Sequence, residues 1–281
     1  VLPFWTSIAA LSLVQGALVA LVRASAAVRL ERLRARRWAV VPPLSVLGFV
    51  LIARAAQSAS AQGLTYLALC TVPLLAALAL GSLARGGRPL AALAVAPLFA
   101  LAWVDRGGLA GEACALALSA LSCVALGALL ATLTPRAWLA AGIIAMALAD
   151  TALVASDLLQ RPNSALNAAH PAAGLPKLQS AVFGSAVMGY GDLFIACVLG
   201  GLLARMGSRL QLRGAIATAL LALAFDLLFL LVSELPATVP VALALIAVGT
   251  VERRASARRR RAPAVHPAHS PRPAPPAPLA R

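Results

Sequence analysis

A chain of 281 residues that is 61% hydrophobic and only 12% charged, with a mean hydropathy of +0.90, carries more apolar surface than one globular core hides. A soluble enzyme is thereby excluded, and so is a single anchor on a soluble domain, because apolar runs recur from Leu2 to Val251. The net charge of +15 is concentrated as Arg in a few connecting stretches, a pattern of membrane topology and not of a nucleic-acid surface. Lys177 is the only Lys, and with the Ala-rich helices this composition points to a GC-rich bacterial genome.

A helix needs about 20 apolar residues to cross the hydrocarbon layer. On that ruler the chain reads as an all-α, polytopic transmembrane bundle of about nine spans, at 2–22, 38–53, 64–84, 89–104, 111–133, 138–158, 178–204, 214–233 and 236–251. The first run, Leu2–Val22, has no basic stretch before it and no small-residue cleavage site after it, so a retained span is expected and not a signal peptide. Spans two and four are short, and span two contains Pro42-Pro43. The longest connection, Leu159–Lys177, holds Pro162, Pro171, Gly174 and Pro176 and reads as an irregular loop. Residues 1–251 thus form a transmembrane domain, and the Arg/Pro/Ala-rich stretch 252–281 reads as a disordered tail.

Nine spans put the termini on opposite sides, and the Arg distribution orients them. Arg23 to Arg37, Arg85, Arg88, Arg136, Arg205, Arg209, Arg213 and the tail gather twenty of the 24 basic residues on one side. Arg54, Arg106, Arg161 and Lys177 make up the other side. The positive-inside rule then sets the N-terminus outside and the C-terminus in the cytoplasm. A bacterial cytoplasmic membrane is the expected location.

Of nine acids, six lie in loops, at span edges or in the tail; the other three are Asp150 in the sixth span, Asp192 in the seventh and Asp226 in the eighth. A carboxylate there costs several kcal/mol, about 2.5–3.5 on insertion scales, so each marks a candidate functional position. No Lys, Arg or His falls inside a span to neutralise them, so they face one another, water or backbone donors. At 1.5 Å per helical residue, Asp150 lies about 15 Å from the outer surface and Asp192 about 18–20 Å, depths at which neighbouring antiparallel helices bring two carboxyls together. Such a pair holds one proton between its members: the ionised one activates water while the protonated one polarises a peptide carbonyl. Asp226, about 12 Å from Glu234, reads as a hydrogen-bonding group in the bundle or part of a water path.

Around Asp192 the chain reads Gly189-Tyr190-Gly191-Asp192, a GxGD element whose glycines leave room for another backbone beside the acid. With an acid in the sixth span, GxGD in the seventh and Pro236-Ala237-Thr238 at the ninth, the chain resembles the presenilin/signal peptide peptidase family of intramembrane aspartyl proteases. The motifs lie in the C-terminal half, about 138–251; spans one to five contribute hydrophobic pattern only. The family commonly has Tyr before the first acid, Leu within GxGD and Leu after Pro-Ala, where this chain has Ala149, Tyr190 and Thr238. The resemblance implies Asp150 and Asp192 as the catalytic dyad. It implies Gly189, Tyr190, Gly191, Pro236, Ala237 and Thr238 as substrate-binding positions. The implied substrates are membrane-spanning helices or remnant signal peptides, preferably with a cytoplasmic N-terminus. No nucleic acid, cofactor or metal is implied. On the residues alone, Pro236 starts span nine and Pro240 disfavours regular helix over 236–240, leaving backbone groups for an extended peptide.

Two other readings stay open. Type IV prepilin peptidases also use GxGD with an earlier acid, but they usually follow the Asp with Lys-Leu, where this chain has Leu193-Phe194, and many carry a four-Cys metal site. Cys70, Cys114, Cys123 and Cys197 sit singly in apolar runs at no metal-ligand spacing and read as packing residues. A proton- or cation-coupled transporter would also use buried acids, although the two halves show no repeat. No HExxH and no nucleotide-binding motif occurs.

Overall fold

The computed structural model describes residues 2–23, 32–55, 57–158, 164, 168–169, 174–232 and 234–261. They fall into a main unit, 1–248, and a second unit, 249–281. Nine α-helices occur among the described residues: α1 Phe4–Leu21, α2 Val41–Ala55, α3 Gln57–Leu78, α4 Val95–Val104, α5 Leu109–Leu133, α6 Arg136–Ala155, α7 Tyr190–Ala204, α8 Ser208–Asp226 and α9 Val239–Arg261. Short 3-10 segments lead into α2 and α4 and extend α8, and a π-helical turn, Ala79–Leu83, ends α3. Five stretches are long and apolar enough to cross a membrane: Phe4–Leu21, Gln62–Leu83, Leu109–Leu133, Arg136–Ala155 and Ser208–Leu230.

Helix starts follow local chemistry. Pro3 and Pro135 precede α1 and α6, where a missing N–H costs nothing. The Asp105 carboxylate accepts the Gly111 N–H at 3.0 Å, and Glu112 lies in the first turn of α5, so both acids meet the positive helix end. α7 is apolar all round, and every residue from Leu193 to Leu203 is buried. A helix hydrophobic on every face belongs in the interior, and α1, α5, α6 and α8 pack around this one. Glycines set the spacing. A Cβ on Gly127 of α5 would lie 2.6 Å from the Cys197 Cβ, and one on Gly200 of α7 2.6 Å from the Val19 carbonyl oxygen. Small residues permit this approach, as is usual between helices in lipid.

The connections meet in two groups. Arg23 and Arg85 exchange backbone hydrogen bonds with Leu83 and Leu21, Arg85 Nη2 donates to Gln211 at 2.6 Å, and Ala35 N–H donates to Leu133. Arg34 donates to Thr132 at 3.2 Å, Arg136 to the Arg205 carbonyl at 2.6 Å, and Arg205 to the Ala131 and Thr134 carbonyls. The second group joins the N-terminus, the α4–α5 connection and the segment before α7: Arg106 donates to Gly174, Gly184 N–H to Glu112, and Ser185 to Leu2 and Ser7.

Five expectations need correction. The bundle is mostly helical but not all-α: the first part of the predicted seventh span is an antiparallel hairpin, β1 Ser180–Phe183 and β2 Ala186–Gly189, with Ser180 opposite Gly189. Gly184, at φ 61°, makes the turn, and helix begins only at Tyr190. The depth derived for Asp192 assumed helical rise from Leu178, and a hairpin has none. Residues 57–63, expected as a connection, are helical, and α9 runs ten residues past the predicted end of span nine, to Arg261. Pro240 does not break α9, because it sits in the first turn, where no N–H is required; the non-helical stretch is 234–238. Most of the Leu159–Lys177 loop and the tail beyond Arg261 lie outside the described residues.

Candidate functional site

Asp192 is the third residue of α7, and its position depends on the glycine before the helix. The Gly189 N–H, which the backbone carbonyls of α7 cannot accept, donates to the Asp192 side chain at Oδ2, 3.1 Å away, the N3-to-N-cap half of a capping box. A Cβ at Gly189 would lie 2.9 Å from that same oxygen, so a side chain there would push the carboxyl away. The second glycine has a different use. A Cβ at Gly191 would lie 3.6 Å from Met146 Cε, so α6 meets the motif one helical turn before Asp150.

Asp150 is 8% exposed and accepts a hydrogen bond from the Thr238 hydroxyl at 2.7 Å. A buried carboxylate needs donors, and Thr238 supplies one. Asp150 and Asp192 both line one cavity. Pro236 is buried, and Ala237 faces the same space.

That space is a cavity of about 880 Å³ lined by Asp150, Asp192, Gly189, Tyr190, Gly191 and Ala237, and also by Val187 and Met188 of β2. No Lys, Arg or His occurs among the described residues that line it. Asp226 and Glu234 do line it. Asp226 is the last residue of α8 and accepts the Ser12 hydroxyl of α1 at 2.7 Å, so it is tied to a structural partner, whereas Asp150 and Asp192 are tied to motif residues. Among the described residues no three His, Cys, Asp or Glu side chains come together as a metal would need.

One residue here has no counterpart in the sequence reading. Gln15, in the middle of α1, is fully buried and donates its side-chain amide to the Ala237 carbonyl at 2.9 Å and to the Asp192 carbonyl at 3.3 Å. It joins the GxGD helix to the Pro-Ala-Thr segment. A lone Gln in an apolar span was the available signal.

Tyr190 is held in turn by α5. Its hydroxyl lies 2.6 Å from the Ser122 hydroxyl, which also contacts the Ser119 carbonyl at 2.6 Å. Tyr190→Phe and Ser122→Ala are each expected to lower stability by about 1 kcal/mol. The double variant should lose about the same as Ser122→Ala alone, because both substitutions remove the one Tyr190–Ser122 bond. Unfolding of the purified protein by titration with SDS measures this; additive losses would show that the bond does not couple α5 to the motif. No family model matches the chain, and no curated protein or solved structure matches it either.

Proposed function

We propose that the chain is an intramembrane aspartyl protease of the presenilin/signal peptide peptidase kind, in a bacterial cytoplasmic membrane, with Asp150 and Asp192 as its catalytic dyad. The observation that carries this reading is the shared cavity: two carboxyls from different helices face one space, with a GxGD glycine and Ala237 beside them. In the proposed reaction the ionised carboxyl takes a proton from water as the oxygen attacks the scissile carbonyl carbon. The protonated carboxyl gives its proton to the carbonyl oxygen, forming a tetrahedral diol. Collapse of the diol breaks the C–N bond, and the departing amine takes up a proton from the dyad. No covalent intermediate on the protein is required.

A helical peptide bond is shielded by its neighbours, so the substrate must be extended at the cut. Strand β2 has one partner among the described residues, and its Val187, Met188 and Gly189 line the cavity beside Asp192, which suits a peptide lying along it. The two groups of hydrogen-bonded connections support nine spans with the N-terminus outside, since the Arg-rich connections meet each other and the Arg-poor ones meet elsewhere. In that orientation α7 runs from outside to cytoplasm. The direction of a bound strand follows from it, and the preferred substrates are helices with a cytoplasmic N-terminus, remnant signal peptides among them.

The test is hydrolysis of a single-span substrate by the purified full chain in liposomes. Cleavage by the parent and by Asp226→Asn, lost in Asp150→Ala and in Asp192→Ala, is the expected result. Equal cleavage by the parent and both Ala variants overturns the reading. A second reading, a proton- or cation-coupled carrier, draws on Asp226 and Glu234 in the same cavity. Proton flux in protein liposomes without cleavage would favour it.

A further inference from the structure

The buried polar groups of α1 lie along one face and lead toward the dyad. Ser12 reaches Asp226, and Gln15, one turn on, reaches the backbone of Asp192. Both N–H groups of the Gln15 amide are used, by Ala237 and by Asp192. Its oxygen, Oε1, is buried and accepts no hydrogen bond among the described residues, although Gln15 lines the cavity. The amide is not reversible: turning it over would set that oxygen against two carbonyl oxygens. A buried amide oxygen without a donor is rare and unfavourable, so this one awaits a group arriving from the cavity.

The chemistry of that group is narrow. An amide oxygen only accepts, and the ligand must bring an N–H or O–H. The two carbonyls that fix Gln15 belong to Asp192 itself and to Ala237, next to Thr238, which holds Asp150. The vacant acceptor is therefore built into the backbone frame that positions both acids. Gly16, the next residue, lets α1 pack closely on α8, since a Cβ there would lie 2.6 Å from the Ala219 Cβ.

We propose that Gln15 Oε1 accepts one backbone N–H of an extended peptide and so forms a substrate-binding position on α1; its substrate class rests on the protease reading. The side chain also keeps the Asp192 and Ala237 backbones in place, and the two roles are separable by experiment.

The probe is a fluorophore-labelled, single-span Leu/Ala peptide flanked by lysines. It is synthesised as a series in which one backbone amide at a time becomes an ester, removing an N–H and leaving every side chain. Binding is measured by energy transfer in liposomes, on full-length Asp192→Asn protein so that no peptide is consumed. One ester position is expected to weaken binding about tenfold, which is one lost hydrogen bond. That penalty should vanish when Gln15→Met is added, while esters elsewhere act alike in both proteins. Gln15→Lys, which donates to the two carbonyls but cannot accept, should also lack the penalty and serves where the Met variant does not fold. No position-specific penalty, a penalty that persists in both variants, or no saturable binding overturns the proposal. Cleavage of the unmodified peptide by the parent is scored separately. Loss of the protease reading alone leaves the ester penalty in place, and loss of this inference alone leaves cleavage in place.

Discussion

Asp150→Asn and Asp192→Asn proteins are expected to unfold like the parent and yet cleave about a thousandfold more slowly or worse. Asn keeps the size of Asp and an oxygen that accepts a hydrogen bond. At 150 that oxygen still takes the Thr238 hydroxyl, and at 192 it still takes the Gly189 N–H. What Asn cannot do is take a proton from water or deliver one to a carbonyl oxygen, so loss of either carboxyl stops both halves of the reaction. The Ala variants should behave differently in stability. Asp192→Ala leaves the helix without its acceptor for Gly189, costing about 1 kcal/mol. Asp150→Ala strands the Thr238 hydroxyl in the interior, costing about 1–3 kcal/mol. Activity and SDS unfolding on the four purified proteins check this. An Asn variant with parental activity would remove that acid from the dyad, and an Asn variant as unstable as its Ala counterpart would mean that the oxygen is not held as described.

The largest loss of stability is expected at Gly127, where even Ala should cost about 1–3 kcal/mol and Leu should prevent folding. The new Cβ would lie 2.6 Å from both the Cβ and the carbonyl carbon of Cys197 and 2.7 Å from its carbonyl oxygen. These are backbone and near-backbone atoms of α7, a helix enclosed by its neighbours, so no flexible side chain is free to swing aside. The displaced helix is the one that carries Asp192, and cleavage should fall together with stability. Gly63 provides the control, because a Cβ there would meet nothing within 4 Å. Gly63→Ala in α3 should stabilise the protein by about 0.5–1 kcal/mol through the lower helical cost of Ala. If Gly127→Ala is as well tolerated as Gly63→Ala, the close approach of α5 and α7 is wrong.

How far the sequence is legible differs from residue to residue. Asp150 and Gly189-Tyr190-Gly191-Asp192 announce themselves, because a charge or a pair of glycines in an apolar run has few purposes; these residues and Ala237 line one cavity, and Thr238 donates to Asp150 behind it. The hairpin is not legible. Ser180–Gly189 is a short, mostly apolar stretch continuous with the run that follows, and periodicity does not separate a buried strand from a buried helix. Gly184, at its turn, is the one local sign. Gln15 was missed for another reason: its partners are backbone carbonyls of Asp192 and Ala237, and main-chain acceptors leave no trace in side-chain patterns. The helical extension to Arg261 was hidden by composition, since Arg and Ala are strong helix formers even where no apolar face exists.

The Arg-rich connections have a consequence for how the molecule responds to its ionic surroundings. Arg34, Arg136 and Arg205 donate to backbone carbonyls, and Arg85 donates to the side chain of Gln211. Those acceptors carry no formal charge. Dissolved salt weakens attraction between exposed charges, but in these contacts there is no opposite charge to screen. The joints among these connections therefore keep their geometry from dilute buffer to concentrated brine. The guanidinium groups still keep their whole positive charge, and one near an anionic headgroup surface would gain about 1 kcal/mol. Salt would thus separate two properties of the same side chains: any grip on acidic lipid fades as ionic strength rises, and the architecture beneath it does not.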